Sequence, residues 1–146
     1  MTDNVFSAWG SDIVTGDKPV EKPNLIAFKN SEKAIRILNK HIKRDSFIGV
    51  HCDVDVDGIG CGIILKQFLQ SLSSRNHLFI INREKVHGIQ AKHVEYFNNI
   101  NKIDLLIVLD SSTNEIEYIK GLQCDVIVVD HHDILQFDLY GVHENG

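Results

Sequence analysis

No apolar run in the 146 residues approaches the ~20 needed to span a bilayer. The opening segment, "MTDNVFSAWGSDIVTG", lacks a basic stretch followed by an apolar one, so no signal peptide is expected. Cysteine is scarce: the 3 present (Cys52, Cys61, Cys124) form no CxxC pair. That count and spacing argue against a disulfide scaffold and a zinc ribbon, and fit a reducing cytoplasmic setting. Positive charge is in deficit, with 15 Lys+Arg against 20 Asp+Glu and a net charge of −5. Broad, non-specific duplex binding is thereby disfavoured. A nucleic-acid enzyme stays open, because bound cations neutralise clustered carboxylates. There is no repeat and no low-complexity segment. What remains is a chain with 43% hydrophobic and 24% charged residues, long enough for one domain with its own core.

Both prolines, Pro19 and Pro23, fall in residues 1–30, which read as an irregular N-terminal arm. Residues 31–146 read as the domain. Ser31 can cap a helix to about Lys43, with Ala34, Ile35, Leu38 and Ile42 as its apolar stripe. "FIGVH" (47–51) is a short strand, and Ile59–Leu72 a helix with Ile63, Ile64, Leu65, Phe68, Leu69 and Leu72 largely on one side. "HLFIIN" (77–82) is a strand, Ile89–Asn99 a helix, and "DLLIVLD" (104–110) a strand apolar on both faces. Asn114–Gly121 is a short helix, and "CDVIVVD" (124–130) a further apolar strand. Strands alternating with helices, and apolar on both faces, imply an α/β fold with a mostly parallel sheet sandwiched by helices. Ligands in such folds gather beyond the carboxyl ends of the strands. Three strands end in acids or histidines there, and three acidic ends at one edge repel unless cations or protons compensate.

The first dense motif is "HCDVDVDGIG" (51–60). Read as a calcium loop from Asp53, it has Gly58 correctly at position six, but position twelve is Ile64 instead of a bidentate Glu. Read as a dinucleotide loop, Gly58, Gly60 and Gly62 give GxGxG, and the position that should complete GxGxxG is Ile63. A metal site fits better. His51, Asp53, Asp55 and Asp57 share parity, so an extended backbone points them the same way. Oxygen ligands with a few imidazoles suit manganese or magnesium rather than zinc. An acidic loop that caps the next helix explains Asp53 equally well. Asp55 and Asp57, taken with Asp110 and the later motif, point to function. That later motif, "VVDHHD" (128–133), offers His131 as a ligand and His132 as a phosphate contact or acid. Asp130 would fix a ring tautomer.

"HCDVDVDG", "LIVLDSST" and "VIVVDHH", in this order and spacing, resemble the first three motifs of the DHH phosphoesterases, in particular the RecJ-like single-strand-specific exonucleases. "INREKVHGIQ" resembles that branch's Arg-x-x-x-x-Gly region through Arg83 and Gly88, and the helix "SEKAIRILNKHIKR" resembles the one leading into the first strand. The likeness covers about residues 31–132. It implies two divalent cations, manganese ahead of magnesium. His51, Asp55 and Asp110 would hold one, and Asp57, Asp110 and His131 the other, with Asp110 bridging. Asp53 would ligate or orient, His132 would face the scissile phosphate with Asp130 behind it, and Arg83 would bind a phosphate. The remaining histidines (41, 77, 87, 93, 143) read as bland, His87 being the best outsider beside Gly88. Tyr96, Phe97 and Trp9 are the few aromatic candidates for base stacking.

The resemblance implies phosphodiester hydrolysis by a two-metal mechanism on single-stranded DNA, from the 5′ end. Two alternatives stand beside it: a hydrolase of short oligonucleotides or cyclic dinucleotides, and a non-catalytic binding or regulatory module. His51 sits where the oligonucleotide-hydrolase branch carries a ligand histidine. The family also supplies a further metal-binding aspartate and a second domain downstream of the third motif. The chain is therefore expected to be a fragment or a naturally reduced protein, with a second domain or partner completing the site.

Overall fold

The computed structural model describes residues 30–72, 77–81, 87–100 and 102–133. The N-terminal arm up to residue 29, Trp9, Arg83 and the tail after residue 133 lie outside the described residues. Elements follow in the order α1 (Ser31–Lys43), β1 (Ile48–Cys52), α2 (Val56–Ser71), β2 (His77–Ile81), α3 (Ala91–Glu95), β3 (Leu105–Leu109), α4 (Ile116–Lys120) and β4 (Asp125–Val129). A π-helical turn, Tyr96–Ile100, extends α3. The four strands form one parallel sheet in the order β2-β1-β3-β4, the α/β architecture expected from strands apolar on both faces. Among the described residues no helix is long and apolar enough to cross a membrane.

Alternation along the strands builds two cores. Ile48, Val50, Cys52, Leu105, Ile107, Leu109 and Ile127 point to one face and pack with Ile37 of α1 and Leu69 of α2. Leu106, Val108 and Val126 point to the other, where Ile89, Phe97, Ile119 and Leu122 cover them. Helices therefore lie on both sides of the sheet. Phe97 is 2% exposed and Tyr96 packs against the same core, so neither serves as an open stacking platform.

Two helices bury faces that match the sequence pattern only in part: Ala34 and Leu38 of α1 and Leu65, Phe68 and Leu69 of α2 pack on the core as expected. In α1 the core-facing positions are Ile37 and His41, with Ala34 and Leu38 packed alongside. A histidine holds such a position because its Nε2 lies 2.8 Å from Asp125 Oδ2, while Lys40 Nζ donates to the same oxygen at 3.0 Å. In α2, which starts at Val56 rather than Ile59, the buried residues are Gly58, Gly62 and Leu69, and Ile63 and Ile64 are exposed. The glycines let α2 lie against β1. A Cβ on Gly62 would sit 2.5 Å from Cys52 Sγ, and one on Gly58 would sit 2.8 Å from the Asp53 carbonyl oxygen.

Gly62→Ala is expected to cost about 1–3 kcal/mol through overpacking, measured by urea unfolding. Asp125 is pulled below the usual carboxylate range: burial opposes the charge, but His41 and Lys40 outweigh it. A carboxyl depressed in the folded state stabilises at pH above its unfolded value, and that contribution fades as pH falls through the folded value. Asp125→Asn should therefore lower the melting temperature most at neutral pH, and the difference should shrink below about pH 4.

Candidate metal centre

From β1 the chain crosses to β2 on one side and then returns to β3 on the other. The crevice beyond β1 and β3 is therefore the switch point at which open α/β sheets bind ligands. Cys52 pairs with Leu109 and Leu109 with Val129. The next residue of each strand, Asp53, Asp110 and Asp130, continues that row. Asp53 N–H donates to the Leu109 carbonyl at 3.3 Å and Asp110 N–H to the Val129 carbonyl at 2.8 Å.

The carboxylates diverge from there. Asp55 is the N-cap of α2, accepting from Gly58 N–H at 3.0 Å. That bond, opposed by burial, draws its carboxyl below the ordinary value, with Asp57 and Asp110 contributing. Asp57 lies in the first helical turn. The shared parity expected of residues 51–57 ends at Cys52, because the backbone turns helical at Val56. Asp55 and Asp57 are carried into the crevice by the start of a helix, not by an extended strand.

Asp110 is 5% exposed and takes a left-handed backbone, φ 62°. Two residues on, Ser112 does the same at φ 78°, its Oγ accepting from Ile89 N–H at 2.8 Å. Such conformations cost energy and cluster at functional sites. Asp110 Oδ2 is buried with no hydrogen-bond partner. Burial, then the charges of Asp57 and Asp55, push its carboxyl upward. His131 Nε2 approaches Asp110 Oδ1 at 3.2 Å and Asp57 Oδ2 at 3.7 Å.

Among the described residues, two sets of ligand atoms lie within 4.8 Å of one another: Asp55, Asp57 and Asp110, and Asp110, His131 and His132. Asp110 belongs to both. A buried, unpartnered carboxylate oxygen between like charges is a donor set suited to a divalent cation. Asp130 stands behind them. Its Oδ2 accepts from Thr113 N–H at 3.0 Å, and its Oδ1 faces His132 Nδ1 at 2.6 Å. Burial opposes its charge, yet the Thr113 and His132 hydrogen bonds bring it down to about 2. The Asp130 bond in turn raises His132 above the usual imidazole value.

His51 and Asp53 fall outside both sets. His51 alternates with Val50 and Cys52 and so points to the opposite sheet face, where its ring centroid lies 4.8 Å from that of His93. It is fully buried, and burial, with His93 adding, lowers it to about 4. Asp53, 1% exposed, accepts from Val54 N–H at 2.8 Å and faces His87 Nδ1 at 2.5 Å. The sequence flagged His87 only by its neighbour Gly88. His93 and Thr113 carried no signal, since their roles arise from contacts across the fold.

These features define the class: an open parallel α/β domain with carboxylates and imidazoles at its switch point that can hold divalent cations. Residues 47–141 match the DHH family, N-terminal domain, and the chain belongs to that family. The single-stranded-DNA-specific exonuclease RecJ of Thermus thermophilus is 31% identical over 112 residues. That match takes in 74% of this chain and 16% of the RecJ protein. Exonuclease RecJ bound to manganese superposes with a TM-score of 0.69 at 25% identity, over 83% of this chain and 32% of that one. A DHH domain from a member of a family of ribosomal proteins shares the fold, with a TM-score of 0.56 at 19% identity over 73% of this chain and 29% of its own. The domain is RecJ-like, and it spans a minor part of the relatives it matches.

Because the fold disfavours the charged form of Asp110, its metal-free penalty builds as pH rises from the ordinary carboxylate value to the raised folded one and is full above that. Asp110→Asn keeps a residue type that tolerates left-handed backbone. It should raise the melting temperature in chelator at pH 7.5 and leave it little changed below about pH 3, where the carboxyl is protonated in folded and unfolded chains alike.

Proposed function

We propose that this domain is the metal-holding half of a phosphodiesterase that hydrolyses single-stranded DNA by two-metal catalysis, in the manner of RecJ. The observation that carries the reading is Asp110, shared by both candidate ligand sets with one oxygen buried and unpartnered. Asp55, Asp57, Asp110 and His131 are the proposed ligands. Divalent cations bound there, manganese ahead of magnesium, would supply Lewis acidity to the phosphoryl oxygens and acidify the attacking water.

The chain's own groups supply the rest. Asp130 accepts from His132 Nδ1–H, so Nε2 is the nitrogen presented to the scissile phosphate. There His132 stabilises charge on the phosphoryl oxygens or hands a proton to the leaving oxygen. Asp55 is held by Gly58 N–H at the start of α2, and Asp110 stands beside it in left-handed backbone. Asp53 acts one step back through His87, and Arg83 is proposed, from its motif alone, as a phosphate contact. The likeness to a single-stranded-DNA-specific exonuclease supports the substrate class. His51, on which the oligonucleotide-hydrolase alternative rests, packs against His93 with no hydrogen-bond partner for its ring nitrogens among the described residues.

Manganese should raise the melting temperature of the chain, and Asp110→Asn should abolish the shift. No stabilisation of the wild type by manganese overturns the metal centre. With 5′-labelled single strands, release of labelled mononucleotides is expected. Intact manganese binding without cleavage would instead favour a non-catalytic module or a site that a further domain or partner completes.

A further inference from the structure

Beside the carboxylate cluster lies an open cleft of about 410 Å³, lined by residues that include His87, Ile89, Gln90, Lys92, Glu115 and Tyr118. We propose that this cleft is a nucleobase subsite, taking the base of a nucleotide whose phosphate sits at His131 and His132. The proposal rests on the phosphodiesterase reading and adds to it the part of the substrate that is gripped.

Position is the first argument. His87 lines the cleft on one side and, on the other, faces buried Asp53 through Nδ1 at 2.5 Å. Its ring centroid is 6.0 Å from that of His132. Cleft and phosphate position are thus separated by a single imidazole, which the carboxylate behind it holds in place. A volume of this size lies within the range of small-molecule sites.

Chemistry is the second argument. Ile89 and Ala91 contribute apolar wall, and Tyr118 on α4 is a large ring left 43% exposed. Gln90 also lines the cleft; its Nε2 is buried and without an acceptor among the described residues, so it meets a base once its amide turns outward. Glu115 brings a carboxylate to the same cleft. Gly88, at φ +80°, leaves the space that carboxylate occupies, since a Cβ there would come within 2.6 Å of Glu115 Oε2. A carboxylate repels a phosphate but accepts well from ring N–H and exocyclic amino groups, and an amide N–H₂ suits a base carbonyl or ring nitrogen. Apolar wall, an aromatic face and a carboxylate acceptor, with the donors Lys92 and Gln90 on the same lining, suit a nucleobase. Guanine, with adjacent N1–H and N2–H₂ donors and an O6 acceptor, fits this set best.

The test compares dGMP with 2-deoxyribose 5-phosphate, titrated calorimetrically into the magnesium-loaded chain. Wild type should bind dGMP roughly tenfold more tightly. Tyr118→Ala and Glu115→Gln should each remove most of that difference, leaving deoxyribose phosphate affinity and the manganese-dependent melting shift unchanged. Equal affinity of the wild type for the two probes overturns the subsite alone, as does unchanged dGMP affinity in Tyr118→Ala. If neither probe binds and manganese does not stabilise the chain, the phosphodiesterase reading falls together with the subsite.

Discussion

The arrangement depends on one row of aspartates. Parallel pairing in register carries Asp53, Asp110 and Asp130 to the same edge of the sheet, one residue past Cys52, Leu109 and Val129. Parallel strands do not alternate direction, so whatever follows their last residues collects at one edge. The sheet's order then places β1 and β3 side by side where the crossovers diverge, leaving a crevice that helices do not cover. The start of α2 adds Asp55 and Asp57 to that crevice, and the turn after β4 adds His131 and His132. Charge concentration here is a consequence of topology acting on a few residues at strand ends.

Each acid in the row meets a different fate, and the differences assign the roles. Asp53 and Asp130 are both given imidazole partners and backbone N–H donors, His87 with Val54 and His132 with Thr113. Each is a satisfied anchor that holds a ring. Asp110 receives no such donor on Oδ2 and sits instead against Asp55 and Asp57. It is the central member, held in left-handed backbone, and the one left with unmet demand for positive charge. Anchors at the flanks and an unsatisfied acid in the middle are what a cation site requires of a rigid frame.

Much of this was legible in the sequence. Strand positions, the parallel sheet and the three acidic strand ends followed from short runs apolar on both faces. The three motifs pointed to the family. What escaped detection depends on long-range contacts. Strand parity suggested that His51 joins the acids, but parity holds only while the backbone stays extended, and Val56 already begins a helix. His51, still within β1, alternates with Val50 and Cys52 and packs on His93. The pattern of α1 favoured Ile35 and Ile42 over Ile37 and His41, because Asp125, 84 residues away, makes a buried histidine tolerable. In α2, apolar counting selected Ile63 and Ile64, whereas close approach to Cys52 and Asp53 selected the glycines.

The His41 site and the crevice show the same residue types handled in opposite ways. At the opposite end of the sheet, Asp125 is buried and compensated within the chain: Lys40 and His41 both reach one of its oxygens. At the crevice, the ion-pair partner of Asp57 and Asp110 among the described residues is His131 alone, itself largely exposed. The chain can thus neutralise a buried aspartate with its own lysine, and does so where the role is structural. Three carboxylates brought together with so little internal positive charge form a donor set that protons or external cations can balance. At neutral pH protons are scarce for Asp55, whose carboxyl is pulled below the ordinary value. Under the proposed function, external cations would complete that balance and let a negatively charged strand approach an acidic face that would otherwise repel it.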